Sequence, residues 1–361
     1  MIFKINGKQI TDISNIELNF NYDSVCDTFS FTTPFICTNN EDRRLFKPLS
    51  YANVEIWNNK NTQLFSGIVL SHRFKTNANG TDLSISGYSK TGILEDCPDV
   101  SSMVNPTTDI TSTTLENMSL LKIAEKMVQP FGIGIEINDF IKDKMNEPFD
   151  QVSVAPVQGG GNSIAEKLSN IATMKNIILR GKINGNLLFT SVDMTRPVKA
   201  NLRINDGVVN EVQANINGQN MHSDIYISSL ASLSETDDKN TGSSGVKSKV
   251  TNNLVLANRP TMLMNGIELK IIKDIMKAAL AEELKNLSWD VECMGWGIVD
   301  EGIILTGDII TLLAPEAYLY KPTKLLVRSV KLKENKDGKS ATLNCALPET
   351  FTGEQPQNIF E

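Results

Sequence analysis

A repeated hairpin constrains the fold of this chain more than any other feature of its sequence. The stretch VLSHRFKTNANGTDLSIS (69–86) aligns without a gap with VRSVKLKENKDGKSATLN (327–344). The matching positions keep one constant offset: Val69 with Val327, Ser71 with Ser329, Arg73 with Lys331, Lys75 with Lys333, Asn77 with Asn335 and Gly80 with Gly338. Each stretch is predicted to turn at Asn-Gly or Asp-Gly, where glycine supplies the positive φ of a type I′ turn. The chain is therefore expected to contain one β unit twice.

The segments around the two hairpins predict an α+β fold that is mostly β. Short alternating apolar runs fill the first hundred residues, as in small antiparallel barrels and sandwiches. Another predicted strand precedes each hairpin, Val54–Trp57 in the first case and Asp308–Leu313 in the second. We therefore expect two similar small antiparallel β-barrels with an inserted α/β region and a long helix.

Helical spacing of apolar residues is confined to the region between the two hairpins. It runs from Leu120 to Val128, before Pro130, and again from Ile164 to Ala172. A long helix is predicted from Ile267 to about Leu287, after a polar stretch at 231–250 that is expected to be a mobile loop. The predicted division is a first barrel at 1–98, an α/β middle domain at 99–198, a second barrel at 199–232 plus 289–348, the loop and helix inserted in it at 233–288, and a C-terminal tail at 349–361.

Composition excludes several classes of protein. The net charge of −7 and the pI near 5.2 argue against a general nucleic-acid-binding surface. The five cysteines are scattered without a C-x-x-C pair, which favours a reducing cytoplasm over a disulfide framework or a zinc site. No apolar run is long enough to span a membrane, and the N-terminus lacks the apolar core of a signal peptide.

Two glycine-containing stretches approach phosphate-binding motifs but do not match them. In GYSKTGILEDC (87–97), the Walker A pattern requires Lys and Ser or Thr after Gly92, but Ile93 and Leu94 stand there. In QGGGNS (158–163), a dinucleotide-binding pattern starting at Gly159 would need a third glycine where Ile164 lies. The first stretch is interpreted as the exit from the first barrel, and the second as a connector before a helix.

No arrangement of side chains in the sequence predicts catalysis. The carboxylate pairs Glu95/Asp96 and Asp300/Glu301 are adjacent residues that diverge on a strand or turn, unlike the opposed acids of a glycosidase. Ser163 and Glu166 have the spacing of a helix capping box. The two histidines, His72 and His222, are far apart in sequence. We therefore predict no catalytic, cofactor-binding or metal-binding residue and no cofactor.

The chain resembles the Mu-like phage tail protein that forms the baseplate hub of contractile tails. The resembling segments occur in order along nearly the whole chain. They are INGKQI (5–10), CDTFSF (26–31), SGYSKTGILEDC (86–97), LLKIAEKMVQPFGI (120–133), GNSIAEKLSNIATMKNIIL (161–179), GNLLFT (185–190), VECMGWG (291–297), LTGDII (305–310) and LLVRSVKLKENKDGKSATLNCALPETF (325–351). The pair Gly295-Trp296 lacks the proline that usually neighbours it in that family.

The resemblance implies a non-enzymatic virion protein of the tail baseplate, made and assembled in the cytoplasm of the bacterial host. Its expected form is a homotrimeric ring with two tube-forming barrels per subunit, which gives pseudo-sixfold symmetry. The implied partners are other copies of itself, the hexameric tail tube protein, the central spike protein and other baseplate proteins. DNA would only pass through the bore, and the chain itself would not bind a membrane.

Two other functions are compatible with the sequence. The chain could be the hub of a phage-derived injection or secretion device, which neighbouring capsid and portal genes would argue against. It could also be a tail-associated cell-wall hydrolase or carbohydrate-binding module, although the sequence offers no matched carboxylate pair for such chemistry. A nucleotide-binding enzyme is disfavoured because both glycine motifs fail on residue identity.

Overall fold

The computed structural model describes residues 1–78, 80–98, 118–149, 163–229, 246–265, 272–296 and 302–360. Within these ranges the chain is α+β and mostly β, as the sequence predicts. Eleven strands follow one another through a single large sheet, and two further strands pair off this path. Two smaller three-stranded sheets lie outside it.

The first β unit is formed by residues 2–96. Alternation buries Phe3 and Ile5 on one face of the sheet while Lys4 is only half-buried, the pattern of a strand with one face on a core. All strand pairs in the unit are antiparallel, in the order β3-β4-β7-β6-β5-β1-β2. Its elements are β1 (Ile2–Ile5), β2 (Lys8–Ile10), β3 (Ser14–Asn21), β4 (Thr28–Pro34), α1 (Asn40–Leu45), β5 (Asn53–Trp57), β6 (Gln63–Asn77), β7 (Gly80–Ser89), a 3₁₀ turn (Lys90–Gly92) and α2 (Ile93–Asp96).

The middle region has a core of its own. Its two longer helices bury their apolar stripes, with Ile123 and Leu168 fully buried, against a three-stranded sheet ordered β8-β10-β9. Ser163 caps the second of these helices by accepting the N–H of Glu166 at 3.1 Å. The elements are α3 (Leu120–Val128), a 3₁₀ turn (Gln129–Phe131), β8 (Ile135–Ile137), a 3₁₀ turn (Asp139–Ile141), α4 (Lys142–Asn146), α5 (Ile164–Thr173), β9 (Ile178–Gly181) and β10 (Leu187–Thr190).

The second β unit is assembled from two stretches of chain. Its strands follow the order β12-β16-β19-β18-β17-β11. A small sheet, β14-β13-β15, and one helix are inserted between β12 and β16. The elements are β11 (Val198–Arg203), β12 (Val209–Ile216), β13 (Asp224–Ser229), β14 (Val246–Thr251), β15 (Pro260–Asn265), α6 (Ile272–Leu284), β16 (Leu287–Met294), β17 (Ile309–Ala314), a 3₁₀ turn (Pro315–Ala317), β18 (Leu319–Asn335), β19 (Gly338–Ala346) and α7 (Glu349–Thr352).

The predicted insertion in the second unit is wrong in three respects. The mobile loop was expected to reach residue 250, but β14 begins at Val246; residues 230–245 lie outside the described part. The long helix is predicted to end at about Leu287, but α6 ends at Leu284 and Leu287 begins β16; residues 267–271 of the predicted helix lie outside the described part. The stretch 224–229 was assigned to the second barrel, but it forms β13 in the separate small sheet.

The two β units are joined edge to edge in one sheet. Strand β3 of the first unit pairs antiparallel with β18 of the second, and a single apolar core runs under both. In the described ranges the pairing runs from β2 at one end to β12 at the other and does not close into a barrel. The two predicted barrels are therefore two units of one continuous sheet with similar strand order, and the remaining domain boundaries stay a prediction.

Candidate assembly interface

The two hairpins found by alignment have the same backbone register. In β6–β7 the register shifts between Val69 and Ser71, and in β18–β19 it shifts between Val327 and Ser329, at the matching position. At the tips, Asn77 pairs with Gly80 and Asn335 pairs with Gly338. A β-bulge is a specific local feature. Its occurrence at the same place in both hairpins confirms that the chain contains one β unit twice.

The turns at the hairpin tips differ from the predicted type I′. Gly80 and Gly338 have φ values of 138° and 126°, so the predicted positive φ is present. However, each glycine is the first residue of the returning strand rather than a central residue of the turn, and neither Lys336 nor Asp337 has a positive φ. The Oδ1 of Asn335 accepts the N–H of Asp337 at 2.8 Å, which supports the turn from the side. Residue 79 lies outside the described part.

The duplication extends to the strand beside each hairpin. Val54 pairs with Gly67 in the first unit, and Ile310 pairs with Leu325 at the corresponding place in the second. One step further on, the N–H of Val69 donates to Ala52 O at 2.9 Å. The N–H of Val327 likewise donates to Asp308 O at 2.9 Å. The sixth strand breaks the likeness, because β1 runs antiparallel to β5 whereas β11 runs parallel to β17.

The junction between the units is a β ladder with a buried face and a charged face. Leu332 pairs with Leu18 and Val330 pairs with Phe20, and all four side chains are buried. On the other face, Lys331 Nζ lies 2.8 Å from a carboxylate oxygen of Glu17. The burial of Glu17 opposes ionisation, but hydrogen bonds from Lys331 and Asn19 prevail and lower the pKa of Glu17. The junction is therefore built like the interior of a single sheet.

A buried polar cluster fixes the middle region against both units. The Arg180 guanidinium of β9 lies 5.1 Å from the ring centroid of Tyr22 and donates to Thr306 Oγ1 at 3.0 Å. Burial lowers the pKa of Arg180 and raises that of Tyr22. Burial also raises the pKa of Asp27 to about 6, although the N–H of Asn21 and the charge of Arg180 act in the opposite direction. Sequence analysis missed this cluster, because its members are far apart along the chain.

The stretch 87–97 has a structural role in the described fold. Thr91 is fully buried, and its hydroxyl donates to Val25 O at 2.6 Å. A carbon at the Cβ position of Gly92 would lie 2.6 Å from the ring of Tyr88, so this glycine allows close packing. Both features hold the chain against β7 and against the connection between β3 and β4 as it leaves the first unit. Of the glycine-rich stretch 158–163, only Ser163 lies within the described part.

The two histidines lie in different parts of the described fold, each with its own partner. His72 lies on β6 with its ring stacked against Phe74, whereas His222 Nδ1 lies 2.7 Å from a carboxylate oxygen of Glu283. Burial lowers the pKa of His72. Glu95 and Asp96 lie on α2, while residues 300 and 301 fall outside the described part.

Within the described residues, no group of three or more His, Cys, Asp or Glu side chains could hold a metal ion. All five cysteines are free, and burial, with nearby acidic groups adding to it, raises the pKa of Cys26 and of Cys293 to about 12. In the same ranges of the chain, no helix is both long and apolar enough to cross a membrane.

The fold matches that of solved phage tail proteins. The 43 kDa tail protein of prophage MuSo2 from Shewanella oneidensis is 19% identical, with a TM-score of 0.73 over 97% of this chain and 98% of that one. The tail protein from Neisseria meningitidis MC58 is 15% identical, with a TM-score of 0.75 over 98% and 97%. An Escherichia coli component of the type VI secretion system, described as similar to the T4 tail proteins gp27 and gp5, is 10% identical, with a TM-score of 0.57 over 99% and 80%.

One family model matches part of the sequence. Residues 100–191 match the second domain of gp44-like baseplate hub proteins. No curated protein matches the sequence. Residues 100–191 are thus similar to a domain of baseplate hub proteins, and the chain as a whole shares the fold of phage tail proteins. The resemblance drawn from the sequence is confirmed at this level.

Proposed function

We propose that this chain is the structural baseplate hub of a contractile phage or prophage tail. Three copies would form a ring in which six similar β units face a hexameric tail tube. The observation that carries this proposal is the duplicated β unit, with its matching bulges after Val69 and Val327. A chain with one such unit could offer only three equivalent faces in a trimer, whereas this chain offers six.

The proposed ring would join the tail tube to the central spike protein and would let DNA pass through its bore. A chain with net charge −7 suits such passage, because retention of DNA needs basic side chains that displace counterions from phosphates. The ring would be part of the virion, assembled in the host cytoplasm with other baseplate proteins. We propose no catalytic reaction for the chain, in keeping with the tail proteins whose fold it shares.

Mass in solution tests the oligomeric part of this proposal. Light scattering of the purified chain is expected to give about three times the mass of 39.8 kDa, and electron microscopy of the same sample a ring with threefold symmetry. Mixing with the tail tube protein of the same phage should produce a complex that elutes ahead of either component. A stable monomer at the concentrations used for tail assembly would overturn the ring.

A second candidate is the hub of a phage-derived injection or secretion device. The similarity to the type VI secretion component favours it, although that similarity reaches a TM-score of only 0.57. Genes for a capsid and a portal beside this one would favour a phage, and their absence would favour the device. The hydrolase alternative predicts release of soluble fragments from purified peptidoglycan, and we expect no release.

A further inference from the structure

Strands β6 and β18 occupy the same place in their units, but their edges away from the hairpin partner are covered to different extents. The first half of β18 pairs with β17, and its second half, from Ser329 to Glu334, pairs with β3. The first half of β6 likewise pairs with β5, but in the described part of the chain its second half, from Ser71 onward, has no strand on that edge. The first unit therefore leaves open the position that β3 fills in the second unit.

A second open edge lies at the end of the same sheet. Strand β12 pairs with β16 on one side, and within the described ranges no strand covers its other side. In the second unit β12 corresponds to β3 of the first. In the first unit Leu18 pairs with Phe29, which pairs with Gly87. In the second unit Ala214 pairs with Trp289, which pairs with Cys345. Because Cys345 matches Gly87 in the hairpin alignment, Ala214 is the counterpart of Leu18.

The side chains at these two edges are exposed where their counterparts at the junction are buried. Phe74 corresponds to Leu332 and is 42% exposed, whereas Leu332 is fully buried. Ile216 corresponds to Phe20 and is 46% exposed, whereas Phe20 is 6% exposed. Apolar side chains along an uncovered strand edge are the feature that makes such edges pair with another chain.

We propose that β12 of one copy of this chain pairs with the second half of β6 of another copy, in the register that joins β3 to β18 within each chain. The register places Ala214 opposite Phe74 and Ile216 opposite His72 of the other copy. At the proposed contact the small Ala214 therefore faces the large Phe74, whereas at the internal junction Leu18 faces Leu332. The proposal rests on the trimeric ring proposed above and identifies its subunit contact.

Charge at the two edges agrees with this register. At the internal junction, Lys331 lies opposite Asn19 and forms its ion pair with Glu17, two residues earlier on β3. By the same geometry, Lys75 lies opposite Gln213, and the residue two positions earlier on β12 is Glu211. Glu211 therefore lies diagonal to Lys75, two residues further along the ladder than the internal ion pair, whose own counterparts are Arg73 and Gln213.

The proposed contact is heterologous, because two different surfaces meet in it: β12 of one copy and β6 of the next. Each chain would donate β12 to one neighbour and accept β12 from the other on β6. A heterologous contact of this kind forms a ring when the rotation closes. Since the internal and external junctions would have the same register, alternating them around a threefold axis gives six similar steps.

Disulfide trapping tests the register directly. Tyr22 N–H donates to Arg328 O at 2.8 Å, so alternation along the ladder makes Lys331/Asn19 a pair without backbone hydrogen bonds, with Cα atoms about 4.5 Å apart. That spacing accepts a disulfide. The corresponding external pair is Arg73 with Asn215. A variant with Arg73→Cys and Asn215→Cys, in a Cys37→Ser background that removes the exposed native thiol, is expected to form linked dimers and trimers on mild oxidation.

The matched control shifts one cysteine by a single residue. Arg73→Cys with Ala214→Cys places the two thiols on opposite faces of the sheet, so no linked species is expected. A trimer by light scattering without linkage in the Arg73/Asn215 variant would overturn the proposed contact and leave the ring intact. A monomer in every variant would overturn both.

A single substitution tests the contact without engineered thiols. Ile216→Asp should leave the monomer folded, because Ile216 is half exposed, but should reduce the trimer at least tenfold by placing a charge opposite His72 and beside the apolar Phe74. Leu256→Asp is the control, since Leu256 is 88% exposed and belongs to neither edge strand, lying between β14 and β15. Circular dichroism reports folding, and sedimentation velocity reports assembly. An Ile216→Asp variant that stays trimeric would overturn the contact.

Discussion

Gly87 of the first β unit and Cys345 of the second occupy the same place in their hairpins, but their surroundings differ. A Cβ atom on Gly87 would lie 1.9 Å from Ile68 O and 2.8 Å from the ring of Phe29. In the second unit, Cys345 has its side chain fully buried beside Trp289. The two units thus share their strand order and bulge but differ in packing at this place. In the first unit an aromatic ring lies over a glycine, whereas in the second unit the larger side chain of Cys345 is buried there. Backbone pairing is therefore the shared property of the units, and core packing is not.

The units also differ in how much of their edge is covered. In the second unit β3 covers the end of β18, whereas the matching half of β6 is open in the described part of the chain. The hairpins of the two units have the same register, so the difference in edge coverage arises because β18 has a partner strand, β3, within the same chain and the second half of β6 has none in the described part. Similar units need not have equivalent neighbours, and an unfilled position in one identifies where a second copy can bind.

The largest expected effect comes from replacing Gly87 of the first unit by cysteine, the residue at the matching position 345 of the second unit. Gly87→Cys should lower the free energy of unfolding by about 4 kcal/mol or more, because the new Cβ would clash with the backbone at Ile68. Chemical denaturation measures the loss, and Gly87→Ala should already show most of it, since Cβ makes the clash. Wild-type stability in Gly87→Ala would mean that the two hairpins do not pack as described.

Truncating a side chain at the covered edge should cost more stability than truncating its counterpart at the open edge. Leu332→Ala should lower the free energy of unfolding by about 3 kcal/mol, because Leu332 is fully buried at the junction. Phe74→Ala should cost the dilute monomer less than about 1 kcal/mol, since that side chain is partly exposed. Urea denaturation below the concentration of trimer formation compares the two variants. Equal losses would remove the distinction between the edges.

The hairpin tips should respond alike in both units. Gly80→Val and Gly338→Val should each cost about 1–3 kcal/mol, because a β-branched residue is forced into positive φ while its side chain has open space. Gly218→Val is the matched control, since Gly218 also has open space but not a positive φ. Thermal unfolding measures all three. A control that melts as low as the tip variants would show that φ is not the cause.

A further, smaller effect than that at Gly87 concerns Asp27, whose counterpart in the second unit is the buried Leu287. Burial raises the pKa of Asp27 to about 6, above its unfolded value of about 3.9. The native state therefore holds this proton more tightly, and stability should fall by about 1–2 kcal/mol as pH rises from 4 to 6 and above. Asp27→Asn keeps an oxygen for the N–H of Asn21 and should remove this part of the pH dependence. An unchanged slope in denaturation curves across that range would contradict the assignment.

Local patterns predicted the regular elements well where one face is buried. The helices at 120–128 and 164–173 and the strands beside both hairpins lie close to their predicted bounds. Strand β14 was missed because it pairs only with β13, and its polar sequence, with an exposed Lys249, is typical of an edge strand and not only of a loop. Leu287 was assigned to a helix because one apolar residue between two elements fits either period.

Sequence by itself determined that one β unit occurs twice, because turn glycines and alternating side chains fix a hairpin locally and an alignment can compare them. Tertiary structure decided that β3 of the first unit pairs with β18 of the second and that β12 and half of β6 remain uncovered. Pairing between strands far apart in the chain is made by backbone hydrogen bonds, which every residue except proline can offer. Such pairing therefore leaves little trace in the order of amino acids.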